Sequence, residues 1–128
     1  MTRRIAYLEL DDVVELARLL FGDPPPIRDL GLLGSAVARP QATAFAADAY
    51  PDLWTKVAAL LDSVVNNHAL LDGNKRLGWL ATAVFLELNG VRATTISNDD
   101  VYELVMRVAT HRLDVDEIVT MLRAATPG

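Results

Sequence analysis

Residues 68–76, His-Ala-Leu-Leu-Asp-Gly-Asn-Lys-Arg, gather several kinds of reactive group within nine positions. His68 brings an imidazole, a side chain able to take up or give a proton. Asp72 brings a carboxylate able to hold a divalent cation. Lys75 and Arg76 follow Gly73 and Asn74 as two adjacent cations. Their placing creates a conflict. Leu77, Leu80, Ala81, Val84, Phe85 and Leu88 recur at helical spacing, so a helix is expected from Asn74 to Asn89 with Gly90 as its C-cap. The first turn of that helix carries the positive pole of the macrodipole, where a cation costs a few tenths to about 1 kcal/mol. An anion would resolve the conflict: backbone N–H groups from Gly73 onward, with Lys75 and Arg76, would make a cradle for phosphate. A glycine at 73 would let the backbone approach such a ligand closely. On the residues alone, an ordinary capped helix start with exposed basic residues is an equal reading, and both stay open.

The composition narrows the classes of function. A chain of 128 residues is read as one domain, 1–128, long enough to bury a sizeable core. Hydrophobic residues make up 52 %, yet no apolar run approaches the roughly 18 residues of a membrane span. The opening residues lack the apolar stretch of a signal peptide and the chain has no cysteine, so a cytoplasmic protein without membrane attachment is expected. A net charge of −5 argues against a surface that attracts nucleic acid directly, while leaving room for a local basic pocket.

The positioning elements are expected to be helices. One runs from about Asp11 to Phe21 and stops at Gly22, before the stiff Asp23-Pro24-Pro25-Pro26 connector. Asp29 caps a short helix to about Ala38, halted by Pro40. Gln41 to Pro51 lacks a helical stripe and reads as an irregular or hairpin-like flap. Pro51 and Asp52 open a helix ending near Asn67, with Leu53, Val57, Leu60, Leu61 and Val64 inward. The helix from Asn74 is apolar nearly all round, which marks it as the buried central one. Residues 91–97 read as a short strand or extended link. Asn98 and Asp114 cap the last two helices. The fold class is all-α: a compact bundle of about six helices around a buried central helix, with the flap beside it.

Residues 68–76 resemble the core motif of the Fic/Doc superfamily, which reads H-x-F-x-[DE]-G-N-G-R-x-x-R in Fic proteins and close to H-x-F-x-D-[GA]-N-K-R in the death-on-curing (Doc) branch. Lys75 matches the Doc form. Ile27 to Gln41, IRDLGLLGSAVARPQ, is similar to the segment that precedes the flap in Doc proteins. Leu70 replaces the motif phenylalanine with a smaller apolar anchor, and Trp79 stands where Fic proteins carry their last arginine. Gly78 is unexpected in mid-helix, at about 1 kcal/mol against alanine, unless something packs closely on it.

The resemblance implies a Fic/Doc-like fold and the toxin of a type II toxin–antitoxin pair. It implies transfer of a phosphoryl group from ATP to a Thr or Ser hydroxyl of a translation protein, elongation factor Tu being the family's target. His68 would be the general base, Asp72 would hold Mg²⁺, Gly73 and Asn74 would form the anion hole, and Lys75 and Arg76 would neutralise phosphate charge. The implied partner is a Phd-like antitoxin whose amphipathic C-terminal segment docks over the flap and motif. Fic proteins that carry their own inhibitory helix show [ST]-x-x-x-E-[GN]; here each of the five glutamates is followed by leucine or isoleucine. Two other functions remain on this reading: an AMP-transferring Fic enzyme, opposed by Lys75 and Trp79, and a weakly active antitoxin-binding co-repressor.

The remaining candidates have blander expectations. His111 reads as a helix-end residue, and Trp54 and Trp79 as core or groove anchors. Asp99, Asp100, Asp114, Asp116 and Glu117 read as caps and first-turn charges. Arg28 and Arg39 read as surface ion pairs beside the flap.

Overall fold

The structure, a computed structural model, describes residues 4–110 and 112–127; His111 lies outside the described residues. Six helices follow in order: α1 (Leu10–Phe21), α2 (Leu30–Ala38), α3 (Leu53–Asn66), α4 (Asn74–Leu88), α5 (Asn98–Thr110) and α6 (Val115–Ala125). A two-stranded antiparallel hairpin, β1 (Thr43–Ala44) and β2 (Ala47–Asp48), lies between α2 and α3. The protein is all-α apart from this flap, as the sequence leads one to expect.

Short polar side chains start most of the helices. The Leu32 N–H donates to Asp29 Oδ1 at 3.0 Å. The Thr55 N–H donates to Asp52 Oδ1 at 2.8 Å. Asp114 and Glu117 bond each other's backbone N–H groups at 3.0 and 2.8 Å, a reciprocal capping box. The cap of α5 differs from expectation. Ser97, not Asn98, holds that end: its hydroxyl accepts from the Asp100 N–H at 3.1 Å, and Asn98 is the first helical residue. At the far end of α4 the Gly90 N–H bonds the Glu87 carbonyl and the Val91 N–H bonds the Leu86 carbonyl, with Gly90 at φ 85. This is the left-handed glycine stop that the sequence suggests. Residues 93–95 form a 3-10 turn and no strand: the Thr95 and Ile96 N–H groups bond the Arg92 and Ala93 carbonyls, and the Glu87 carboxylate takes the Ala93 N–H at 2.7 Å.

The centre of the bundle also differs from expectation. Nine of the fourteen residues of α3 are buried, against six of the fifteen of α4. α3 holds the middle because α2, α4, α5 and α6 all pack on it, and α4 lies beside it with Leu77, Ala81, Phe85 and Leu86 inward. The two helices approach closely at Gly78, where an added Cβ would stand 2.6 Å from Val65 Cγ2. That close approach accounts for a mid-helix glycine.

The flap is suspended from α3 by two cations. Lys56 is 2 % exposed; its ammonium donates to the Tyr50 carbonyl at 2.6 Å and pairs with Asp48 at 3.3 Å, above the Tyr7 ring. Arg39 is half-buried and bonds the Tyr50 hydroxyl at 2.8 Å and Asp62 at 2.7 Å. Burial works against its charge, but Asp62 and Tyr50 outweigh it and hold its pKa above the ordinary arginine value. Arg39 is therefore an internal strut more than a surface ion pair. The hairpin turn places Phe45 and Ala46 at φ 54 and 64, with the Phe45 ring fully exposed. No helix among the described residues is long and apolar enough to cross a membrane.

Candidate functional site

α3 ends with the Asn67 N–H on the Ser63 carbonyl at 2.8 Å, and the motif begins at once with His68 in the left-handed region, φ 56. Few non-glycine residues sit there without a reason. Here the surrounding backbone supplies one. Residues 26–29, between α1 and α2, run antiparallel to the motif loop, with Ile27 bridged to Leu70. The Arg28 and Asp29 N–H groups both donate to the Ala69 carbonyl, at 2.8 and 3.0 Å, and the Leu71 N–H donates to the Pro26 carbonyl at 2.9 Å. The Arg28 guanidinium itself donates to the His68 carbonyl, from Nε at 3.1 Å and Nη2 at 2.6 Å. Leu70 is 2 % exposed, so it anchors the loop as a smaller substitute for phenylalanine.

The second half of the loop is closed by its own side chains. Asn74 Oδ1 accepts the Leu70 N–H and Nδ2 donates to the Leu70 carbonyl, both at 3.1 Å. The Asn74 amide thus ties the loop together, and what remains for an anion is its backbone N–H at the first turn of α4. Asp72 is exposed, and its Oδ1 accepts the Gly73 N–H at 2.8 Å. Gly73 has φ 90, and a Cβ there would lie 2.3 Å from Phe21 Cζ. The sequence suggests a glycine for close approach of a ligand; the structure gives it a left-handed backbone and the ring of Phe21 at the end of α1. The same ring lies 5.2 Å from the Arg76 guanidinium carbon, a cation–π distance. Phe21 is a site residue that sequence reasoning missed, since nothing in the α1 pattern marks it.

Two concavities divide the motif side chains between them. Lys75 and Arg76, both exposed, edge an apolar groove of about 480 Å³ whose walls include Trp79 and Leu80 of α4 and Tyr102 and Val105 of α5. His68 opens into a separate polar cleft of about 420 Å³ with Asp62, Asn66 and Arg112. Behind His68 the cleft wall is fixed: Asn66 Nδ2 donates to Asp62 Oδ1 at 2.9 Å and to the Val108 carbonyl at 3.2 Å, while Asp62 Oδ2 pairs with Arg39. Trp79 lines the groove as an anchor, and Trp54 lies under the Arg123 guanidinium at 5.3 Å.

The donor set sets limits on a metal. Among the described residues, no three His, Cys, Asp or Glu side chains are grouped to hold an ion by themselves. Asp72 keeps Oδ2 available, while Oδ1 is bonded to Gly73. A single carboxylate completed by substrate phosphates is the arrangement magnesium accepts in nucleotide sites, so Asp72 fits that ion and does not fit a closed zinc site. Among the described residues neither Asp72 nor Lys75 takes part in a salt bridge.

Residues 7–86 match the model of the Fic/DOC family. A curated protein of Mycolicibacterium smegmatis, Toxin Doc, is 49 % identical over 117 residues, covering 91 % of this chain and 90 % of that protein. The chain belongs to the Fic/DOC family. The matched region runs from the segment before α1 through most of α4, and so includes both sides of the Fic/DOC motif loop: Phe21 and Arg28 beneath it, and His68 to Arg76 on it.

Proposed function

We propose that this chain is the toxin of a toxin–antitoxin pair that transfers the γ-phosphoryl group of ATP to a Thr or Ser hydroxyl of a translation protein, with elongation factor Tu as the first target to test. The observation that carries the reading is Lys75 beside Arg76 on the first turn of α4, exposed and without a salt-bridge partner for Lys75 among the described residues. The name and 49 % identity of the Mycolicibacterium smegmatis protein support the toxin class. In phosphoryl transfer there is little covalent chemistry for a protein to perform, and positioning with charge stabilisation supplies most of the catalysis.

The residues divide the work as follows. His68 takes the proton of the acceptor hydroxyl as its oxygen bonds to the γ-phosphorus. The bond from that phosphorus to the oxygen bridging it to the β-phosphate breaks, and ADP leaves with that oxygen. Lys75 and Arg76 offset the negative charge on the phosphate oxygens, and the free N–H groups at the start of α4 bind them. Phe21 keeps Arg76 over its ring, and the Asn74 amide keeps the loop closed while this occurs. Asp72 would hold magnesium, which would supply further neutralising charge. AMP transfer is the weaker reading, since Trp79 occupies the position of the arginine that the AMP-transferring members of the family carry.

Control would come from outside the chain, from a Phd-like antitoxin that lays an amphipathic segment over the flap and motif. Expression of this chain alone is expected to arrest bacterial growth, and co-expression of the adjacent antitoxin gene to restore it. Unimpaired growth with abundant, folded protein would contradict the toxin reading.

A further inference from the structure

We propose that Arg28 is a positioning residue that holds His68 in its left-handed conformation and so aims the imidazole; this rests on the reading of His68 as the base. His68 lies between two peptide planes. The plane before it follows directly on the last turn of α3, whose closing bond, from the Asn67 N–H to the Ser63 carbonyl at 2.8 Å, fixes the neighbouring plane. The plane after it carries the His68 carbonyl, which receives both Arg28 donors, at 3.1 and 2.6 Å, from a residue 40 positions earlier. With the end of α3 on one side and the Arg28 fork on the other, His68 has little room to turn, and its observed φ is 56. A non-glycine residue stays in that region only when its surroundings over-determine it. Among the described residues the imidazole has no hydrogen-bond partner to hold it there instead; it lines an open cleft with Asp62, Asn66 and Arg112.

The guanidinium suits this task better than an ammonium. It is planar and presents Nε and Nη2 as two donors in a fixed fork, so a single acceptor oxygen is located in direction as well as distance. Arg28 is itself exposed, and its backbone N–H bonds the Ala69 carbonyl whatever its side chain. Removing the guanidinium therefore leaves the strand-like pairing of residues 26–29 with 69–71 in place and releases the His68 plane alone. Arg28 does not touch the reacting atoms. Its effect is on geometry.

The test uses the full chain with Arg28→Ala and Arg28→Lys, each first shown to keep the parent's melting behaviour. In the free protein, backbone couplings that report the sign of φ are expected to show His68 left-handed in the parent and averaged toward negative φ in Arg28→Ala. Single-turnover transfer is expected to slow by about 10²-fold in Arg28→Ala, with the KM for ATP unchanged, and to recover in part with added guanidinium salt. Arg28→Lys is expected to lie between the two. A His68 φ that stays positive in Arg28→Ala overturns the inference, and so does an unchanged transfer rate when φ has moved. If the parent transfers no phosphate, the reading of His68 as base fails, and the coupling measurement still decides whether Arg28 holds the residue.

Discussion

Replacing His68 with asparagine is expected to lower the rate of phosphoryl transfer by about 10²- to 10⁴-fold, the range associated with a positioned general base. Asparagine is the informative choice because His68 sits at φ 56. Alanine would add backbone strain to the loss of the imidazole, whereas asparagine is comfortable in the left-handed region. The side chain is exposed, so the fold should survive, and nucleotide binding at Lys75 and Arg76 should change little. Single-turnover kinetics with a parallel nucleotide-binding titration would measure both. Full transfer by His68→Asn would remove the base from the mechanism.

Gly73→Ala is expected to produce the largest loss of stability of any single methyl addition in the loop. Two separate costs meet there. The backbone is at φ 90, and the added Cβ would stand 2.3 Å from Cζ and 2.7 Å from Cε1 of Phe21. Backbone strain and overpacking each cost about 1–3 kcal/mol, which in a domain of this size lowers the melting temperature by roughly 10 °C. Phe21→Leu gives the control. In the Gly73→Ala background it should recover part of the lost stability, because a smaller side chain vacates the space of the ring. Alone it should destabilise, by opening a gap and removing the ring beneath Arg76. Such opposite effects are the mark of residues in contact, and thermal melts of the four proteins would measure the coupling. Additive losses would mean that Phe21 does not press on Gly73.

What could be read from the sequence follows the range of the interactions. Asp29, Asp52 and Asp114 were legible as caps because each bonds an N–H three residues away. The Gly90 stop and the hairpin flap were legible for the same local reason. Ser97 displaced Asn98 as a cap because two adjacent residues both suit the role, and one-residue offsets at helix ends are common. The central helix was misplaced because burial depends on how many partners surround a helix, which periodicity does not report; α3 is enclosed by four helices, and α4 is not. Gly78 could be flagged from sequence, but its partner Val65 could not. The motif loop itself was legible as a family signature. Its support was not: Phe21 lies far from Gly73 along the chain, and Arg28 is 40 positions from His68. An arginine's two bonds to a backbone carbonyl leave no pattern in the order of residues.

On the proposed reading Lys75 favours phosphoryl over nucleotide transfer, and the label on ATP tests that choice directly. Purified protein would be incubated with magnesium, a bacterial lysate or elongation factor Tu, and ATP labelled on either the γ- or the α-phosphate. The expected result is γ-label on a protein target, none from the α-position, and loss of the γ-label with His68→Asn. Label from the α-phosphate on the target of the unaltered protein would contradict phosphoryl transfer and establish nucleotide transfer in its place.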